Sequence, residues 1–164
     1  MKAAELIGTV AGVGHLRPAS GTWGSLAALP LLWAVHQIGS FPLVVLATLV
    51  VFFAGWWATR AMTAGRDNHD PSEIVIDEVA GQWVALFPVS YGAMFAGVPI
   101  TALWPGWVVG FLAFRLFDIL KPGPVGWADR RDDPLGVMLD DVIAGALAAL
   151  VVAISGALYH VFLM

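Results

Sequence analysis

Every charged side chain of this 164-residue chain falls in one of four places, and long apolar runs fill the space between them. The eight Lys and Arg and twelve Asp and Glu residues lie in the N-terminal segment, in residues 60–78, in residues 115–133 and in the pair Asp140–Asp141. Five apolar segments remain, at about 23–39, 41–59, 79–97, 98–117 and 142–163. At 1.5 Å per residue a helix needs about 20 residues to cross hydrocarbon. The second, third and fifth segments have that length. The first is short and contains Pro30 and His36, and the fourth contains Pro105, so both are expected to tilt, kink or insert only partly. Only 12% of the residues are charged, against roughly 25% in a soluble domain, so water is not the solvent of most of this surface.

The distribution of charge also sets the expected topology. The connectors at 39–42 and 99–106 carry none, and neither does the C-terminal end. Five spans therefore place all charge on one side, whereas four would move one charged block to the other. Lys2, Arg17, Arg60, Arg66, Lys121, Arg130 and Arg131 make that side cytoplasmic. Trp23, Trp56, Trp57, Trp104, Trp107 and Trp127 fall near span ends, where an amphipathic ring prefers the interface. The expected fold is all-α: a single polytopic membrane domain over 1–164, with about five membrane-embedded helices and its active site at the cytoplasmic face. Residues 1–16 read as a short interfacial helix weakened by AGVGH, and 118–139 as a turn-rich loop. Gly145, Ala149 and Gly156 permit close helix packing in the last span. The N-terminus does not read as a cleavable signal, because glycines dilute its apolar stretch and His15 and Arg17 follow.

With no cysteine, disulfides, zinc–thiolate sites and cysteine-nucleophile phosphatases are excluded. A net charge of −4 without any basic run argues against a nucleic-acid partner. His15 and His69 read as solvated or interfacial residues, and His36 and His160 lie toward the far side, away from the acids. No phosphohistidine set, DxDxT motif or Ser/His/Asp set is present.

The chemistry lies where polar stretches meet apolar runs. Asp77–Glu78 in IVIDEVAG and Asp140–Asp141 in VMLDDVIAG each stand at the expected first turn of a span. One acid per helix start is a cap. A second adjacent acid, next to hydrocarbon, requires a partner or a cation. With Asp118, these make five carboxylates expected to converge on one or two hard divalent cations, magnesium first and manganese as substitute. Not all need be direct ligands, since one can act as a base or orient a ligand. In FRLFDILKP, Arg115 and Lys121 flank Asp118 at three-residue spacing. They are either a helix-end ion pair or phosphate-binding cations. The stretch GHLRPASGTWGSL supplies the hydroxyls of Ser20, Thr22 and Ser25 and backbone N–H groups ahead of the first span, with Thr22 and Ser25 as candidate phosphate contacts and Arg17 beside them. A cation-coupled transporter would instead place ionisable groups at mid-membrane and on the far side. A phosphatidyl transferase would carry a long Asp/Gly/Ala-Arg signature that does not appear.

These blocks, GHLRPASGTWGSLAALPL, IVIDEVAG, and FRLFDILKPGPVGWADRR followed by GVMLDDVIAG, resemble the three blocks of the phosphatidylglycerophosphatase A family, in its order and across most of residues 12–146. The resemblance implies an all-helical, magnesium-dependent phosphatase of bacterial inner membranes. Such an enzyme converts phosphatidylglycerophosphate to phosphatidylglycerol and phosphate in phospholipid biosynthesis. Another membrane lipid phosphomonoesterase is the alternative. The family's functional positions match Gly21, Thr22, Gly24 and Ser25, then Asp77, Glu78 and Gly81, then Arg115, Asp118, Lys121, Pro122, Asp140 and Asp141. Ser20 departs from the family, which often has proline there, and DDPLG at 132–136 replaces a common glycine pair. Expected roles are catalysis for Asp77, Glu78, Asp118, Lys121 and Asp141, and substrate binding for Arg17, Thr22, Ser25, Arg115 and Lys121. Water or a carboxylate is the nucleophile.

Overall fold

Glycine and proline decide where the apolar runs stop being single helices. The computed structural model describes residues 2–66, 68 and 70–163, and His69 lies outside them. All regular structure among the described residues is helical: α1 (Ala3–Gly8), α2 (Ser20–Thr63), α3 (Ile76–Ala85), α4 (Phe87–Ala96), α5 (Trp104–Leu120), α6 (Pro124–Asp129) and α7 (Pro134–Leu163), with 3-10 turns at Val13–His15 and Ile100–Leu103. The expected all-α class is the observed one.

The 44 residues of α2 do not form one rod. Gly39 (φ −149°, ψ 21°) and Ser40 (φ 52°, ψ −156°) leave helical geometry and divide it into arms 20–38 and 41–63. A Cβ on Gly24 would touch Val75 and one on Gly55 would touch Ile76, so the two arms meet neighbouring residues of the chain. A straight helix would hold Gly24 and Gly55 about 46 Å apart. The arms are therefore antiparallel. At their turn, His36 Nδ1 lies 2.8 Å from Ser90 Oγ, and Phe41 packs edge-on against Phe87 and Tyr91.

By length and composition three helices can cross a membrane, or four if the bent pair α3–α4 is one span. That count takes α2 as a single helix. Its two antiparallel arms occupy the expected first and second segments, 23–39 and 41–59. The expected single span 79–97 is also broken, by a 44° bend at Leu86 between α3 and α4. Pro88 stands in the first turn of α4 and brings no N–H to the preceding turn, so the helix restarts there. Pro105 likewise opens α5 instead of kinking it. The stretch expected as pure loop at 118–139 contains α6, and α7 begins at Pro134, well before residue 142.

α3 is the buried centre, flanked by both arms of α2 and by α7, while α5 closes the other side of α7. Trp83 Nε1 donates to the Ala28 carbonyl at 2.8 Å, fixing α3 against the first arm. Outward-facing Leu46, Leu49, Phe53, Leu112, Leu116, Leu150 and Ile154 are exposed. An apolar surface this continuous on helices of spanning length is solvated by lipid.

Candidate active site

The site exists because two helices cross in backbone contact. A Cβ on Gly81 of α3 would stand 2.5 Å from the Asp141 carbonyl oxygen of α7, and a Cβ on Gly145 would overlap the Gly81 carbonyl. Each glycine lies one turn past a carboxylate, Gly81 after Asp77 and Gly145 after Asp141. The contact point therefore brings the two acidic turns together. Asp77, Glu78 and Asp141 each offer one oxygen, all within 4.8 Å of one another. At that spacing each pair of ionised carboxylates repels by about 3–4 kcal/mol at an effective dielectric of 20.

These three acids line a cavity of about 310 Å³ with Asp118 and Arg115 from α5, Lys121 from its end, Asp140 from α7, Asp70 and Ser72 from the α2–α3 connection, and Arg17 to Gly21 from the approach to α2. Six carboxylates thus face three cations, Arg17, Arg115 and Lys121. Two of the cations are already matched: Arg115 Nη1 lies 2.6 Å from Asp118 Oδ2, and Lys121 Nζ lies 2.5 Å from Asp129 Oδ1 and 2.6 Å from Asp140 Oδ2. Burial alone would lower the Lys121 pKa. Its hydrogen bonds and charge contacts with Asp129 and Asp140 outweigh burial and raise it above the usual lysine value, so the ammonium stays charged. Glu78 Oε2 and Asp141 Oδ2 are buried without a hydrogen-bond partner among the described residues. Clustered, all-oxygen, partly orphaned acids are the donor set a hard divalent cation takes.

The structure sorts the candidate residues. Of the five carboxylates, Asp77, Glu78 and Asp141 form the cluster, whereas Asp118 and Asp140 line the same cavity but are ion-paired. Lys121 does not pair with Asp118, the partner its spacing offered. It ends α5 in the left-handed conformation (φ 47°, ψ 54°), which turns its side chain toward α6 and α7. Asp140 and Asp141 are the seventh and eighth residues of α7, not its first turn. The cap there is Asp133, whose Oδ1 accepts the Gly136 N–H at 2.7 Å. Arg17 lines the cavity and donates to Ser72 Oγ at 3.0 Å. Thr22 and Ser25 do not line it, while Ser20 and Gly21 do. Ser25 lies one turn deeper and is fully buried. His15 is exposed and outside the lining. Asp70, Ser72 and Asp129 were not singled out in the sequence, since nothing but loop position marks them.

Residues 6–155 match the model of the family described as phosphatidylglycerophosphatase A. A phosphatidylglycerophosphatase A of Haemophilus influenzae is 34% identical over 142 residues, covering 86% of this chain and 81% of that protein. One of Escherichia coli is 32% identical over 130 residues, covering 79% and 69%. A putative phosphatidylinositol-3-phosphatase of Bacteroides thetaiotaomicron is 35% identical over 155 residues, covering 92% and 91%. No solved structure matches the chain.

Proposed function

The chain belongs to the phosphatidylglycerophosphatase A family, and from that premise we propose that it removes the terminal phosphate of phosphatidylglycerophosphate, with magnesium as cofactor and manganese as substitute. That it is a membrane-embedded phosphatase follows from the family and from its apolar helices. The observation that carries the substrate reading is the Asp77–Glu78–Asp141 cluster beside Arg115 and Lys121, in one cavity at the loop end of the bundle.

Asp77, Glu78 and Asp141 would hold the divalent cation, with Asp118 and Asp140 able to join a second position. A bound cation would supply charge neutralisation at the phosphoryl oxygens and activation of the attacking water. Lys121 has three N–H donors and spends two on Asp129 and Asp140, which leaves one for a phosphoryl oxygen. Arg115 has five donors, and its buried Nε lacks a partner among the described residues. Both side chains are held in place by their carboxylates, so they meet the phosphate without reorganising. The acyl chains stay against the exposed apolar helices, and only the headgroup enters the cavity.

Purified protein in detergent is expected to release orthophosphate from phosphatidylglycerophosphate with magnesium or manganese and to stop in EDTA. Activity that survives exhaustive chelation removes the cation from the mechanism. The Bacteroides relative motivates a parallel assay on phosphatidylinositol 3-phosphate; a higher kcat/KM there reassigns the substrate. The protein is further proposed to sit in a bacterial inner membrane with the cavity facing the cytoplasm. The chain lacks cysteine, so Ala64→Cys and Val98→Cys give a direct test in intact spheroplasts. An impermeant maleimide should label position 98 and reach position 64 only after permeabilisation, and the reverse pattern inverts the topology.

A further inference from the structure

We propose that the start of α2 is the phosphoryl cradle of this cavity, formed by the Ser20 hydroxyl and the backbone N–H groups of Ser20 and Gly21. The inference rests on reading the cavity as a phosphomonoesterase site and identifies which uncharged groups receive the phosphate. α2 has Ala19 at its N-cap and no side-chain cap. Its first helical hydrogen bond runs from the Trp23 N–H to the Ala19 carbonyl at 3.1 Å. The N–H groups of Ser20, Gly21 and Thr22 therefore have no acceptor among the described residues. A helix start with free N–H groups attracts anions through those donors and the helix dipole.

Two further observations place a ligand there. Ser20 lines the cavity, is only 9% exposed, and its hydroxyl has no hydrogen-bond partner among the described residues. Asp141, 3% exposed, lines the same cavity with Oδ2 equally unpartnered. Orphaned donors and orphaned acceptors share one cavity without meeting. A cation alone would satisfy the carboxylates and leave the donors bare, and an anion alone would do the reverse. A phosphoryl group bound together with a divalent cation satisfies both sets.

Gly21 shows how tightly the helix start is pressed into the charged cluster. A Cβ there would overlap Glu78 Oε1 and stand 3.2 and 3.3 Å from Arg115 Nη1 and Nη2. Only glycine lets the Glu78 carboxylate and the Arg115 guanidinium come this close to the start of α2.

Ser20→Ala removes the hydroxyl alone. Ser20→Pro also removes the residue 20 N–H at a helix position that tolerates proline. Both are measured in detergent with saturating magnesium, following KM for phosphatidylglycerophosphate, inhibition by orthophosphate, the magnesium activation constant and the melting temperature. Ser20→Ala should raise KM and the orthophosphate inhibition constant together by about five- to tenfold, with kcat falling less, and with magnesium activation and melting temperature unchanged. Orthophosphate with magnesium should raise the wild-type melting temperature, and the rise should shrink in both variants. Unchanged orthophosphate inhibition in both variants overturns the cradle, as does a shift confined to the magnesium constant. A wild-type protein that is folded but releases no phosphate from either lipid refutes the phosphatase reading itself, a separate outcome.

Discussion

The acidic pair on α3 stands in the first turn of its helix, whereas the pair on α7 stands two turns in, about 9 Å from the helix start. Locally they are built alike. Asp77 Oδ1 accepts the Glu78 N–H at 3.0 Å, and Asp140 Oδ1 accepts the Asp141 N–H at 2.9 Å. Their surroundings then divide them. On α3 both acids enter the cluster, while on α7 Asp141 enters it and Asp140 turns to Lys121. A helix start can favour carboxylates on α3, but its effect fades within the first turn and cannot hold those on α7, which Asp133 already caps. The comparison teaches that the acids of α7 are there for what faces them across the bundle. Packing with α3, through Gly81 and Gly145, holds them against their mutual repulsion.

The largest test separates cluster from cap. Asp141→Asn and Asp77→Asn should each lower kcat/KM by roughly 100- to 1000-fold, a loss of about 3–4 kcal/mol at the transition state. Melting temperature should hold or rise, because a repelling charge is gone. A near-normal rate for Asp77→Asn at saturating magnesium would return that residue to capping and break the equivalence with Asp141.

Next in size is the pair the comparison sets apart. Lys121→Ala should lose on the order of 30-fold in kcat/KM and Asp140→Asn about tenfold. The double variant should resemble Lys121→Ala alone, since the two residues form one contact. Fully additive losses would show that Lys121 and Asp140 act separately. A destabilised but fully active Lys121→Ala enzyme would put the lysine outside the site.

The helix crossing gives a smaller effect of a different kind. Gly145→Ala and Gly81→Ala force α3 and α7 apart, so each should cost about 1–3 kcal/mol of stability in detergent unfolding. Weaker magnesium activation should accompany the loss. Unchanged activation in a destabilised variant would uncouple the crossing from the cluster.

Asp133→Ala is the smallest. Loss of the cap should cost about 1 kcal/mol with normal turnover in the folded fraction. The Arg131 side chain and the Gly136 N–H hold the Asp133 carboxyl below its ordinary value. Its contribution is thus present above about pH 4 and fades as pH falls through the lowered folded value. A stability difference that persisted undiminished at the acid end would contradict that assignment.

Much of this was legible in the chain. Charge confined to four places specified a membrane-embedded helical bundle with one polar end. The acidic pairs, Asp118, Arg115, Lys121 and Arg17 were marked by their position at the edge of hydrocarbon, and all of them line the cavity. Asp129 and Asp133 were not marked with these roles, because an Asp in a loop looks like an ordinary turn or cap residue. The pattern placed the turn between 23–39 and 41–59, which falls at Gly39–Ser40, but not the bend at Leu86 inside 79–97, since apolarity says how much hydrocarbon a segment can cover and not where its axis bends.

What the sequence determined by itself is the class of fold and the identity of the charged groups at its polar end. Transfer of apolar and charged side chains between water and lipid is a local, largely additive energy, readable residue by residue. Which three of five carboxylates meet, which two take cations, and which backbone donors face them was decided only by tertiary structure. Those outcomes depend on a glycine crossing between helices about sixty residues apart in the chain and on the left-handed exit at Lys121. Such distances of a few ångströms are fixed by packing and by no periodicity in the chain.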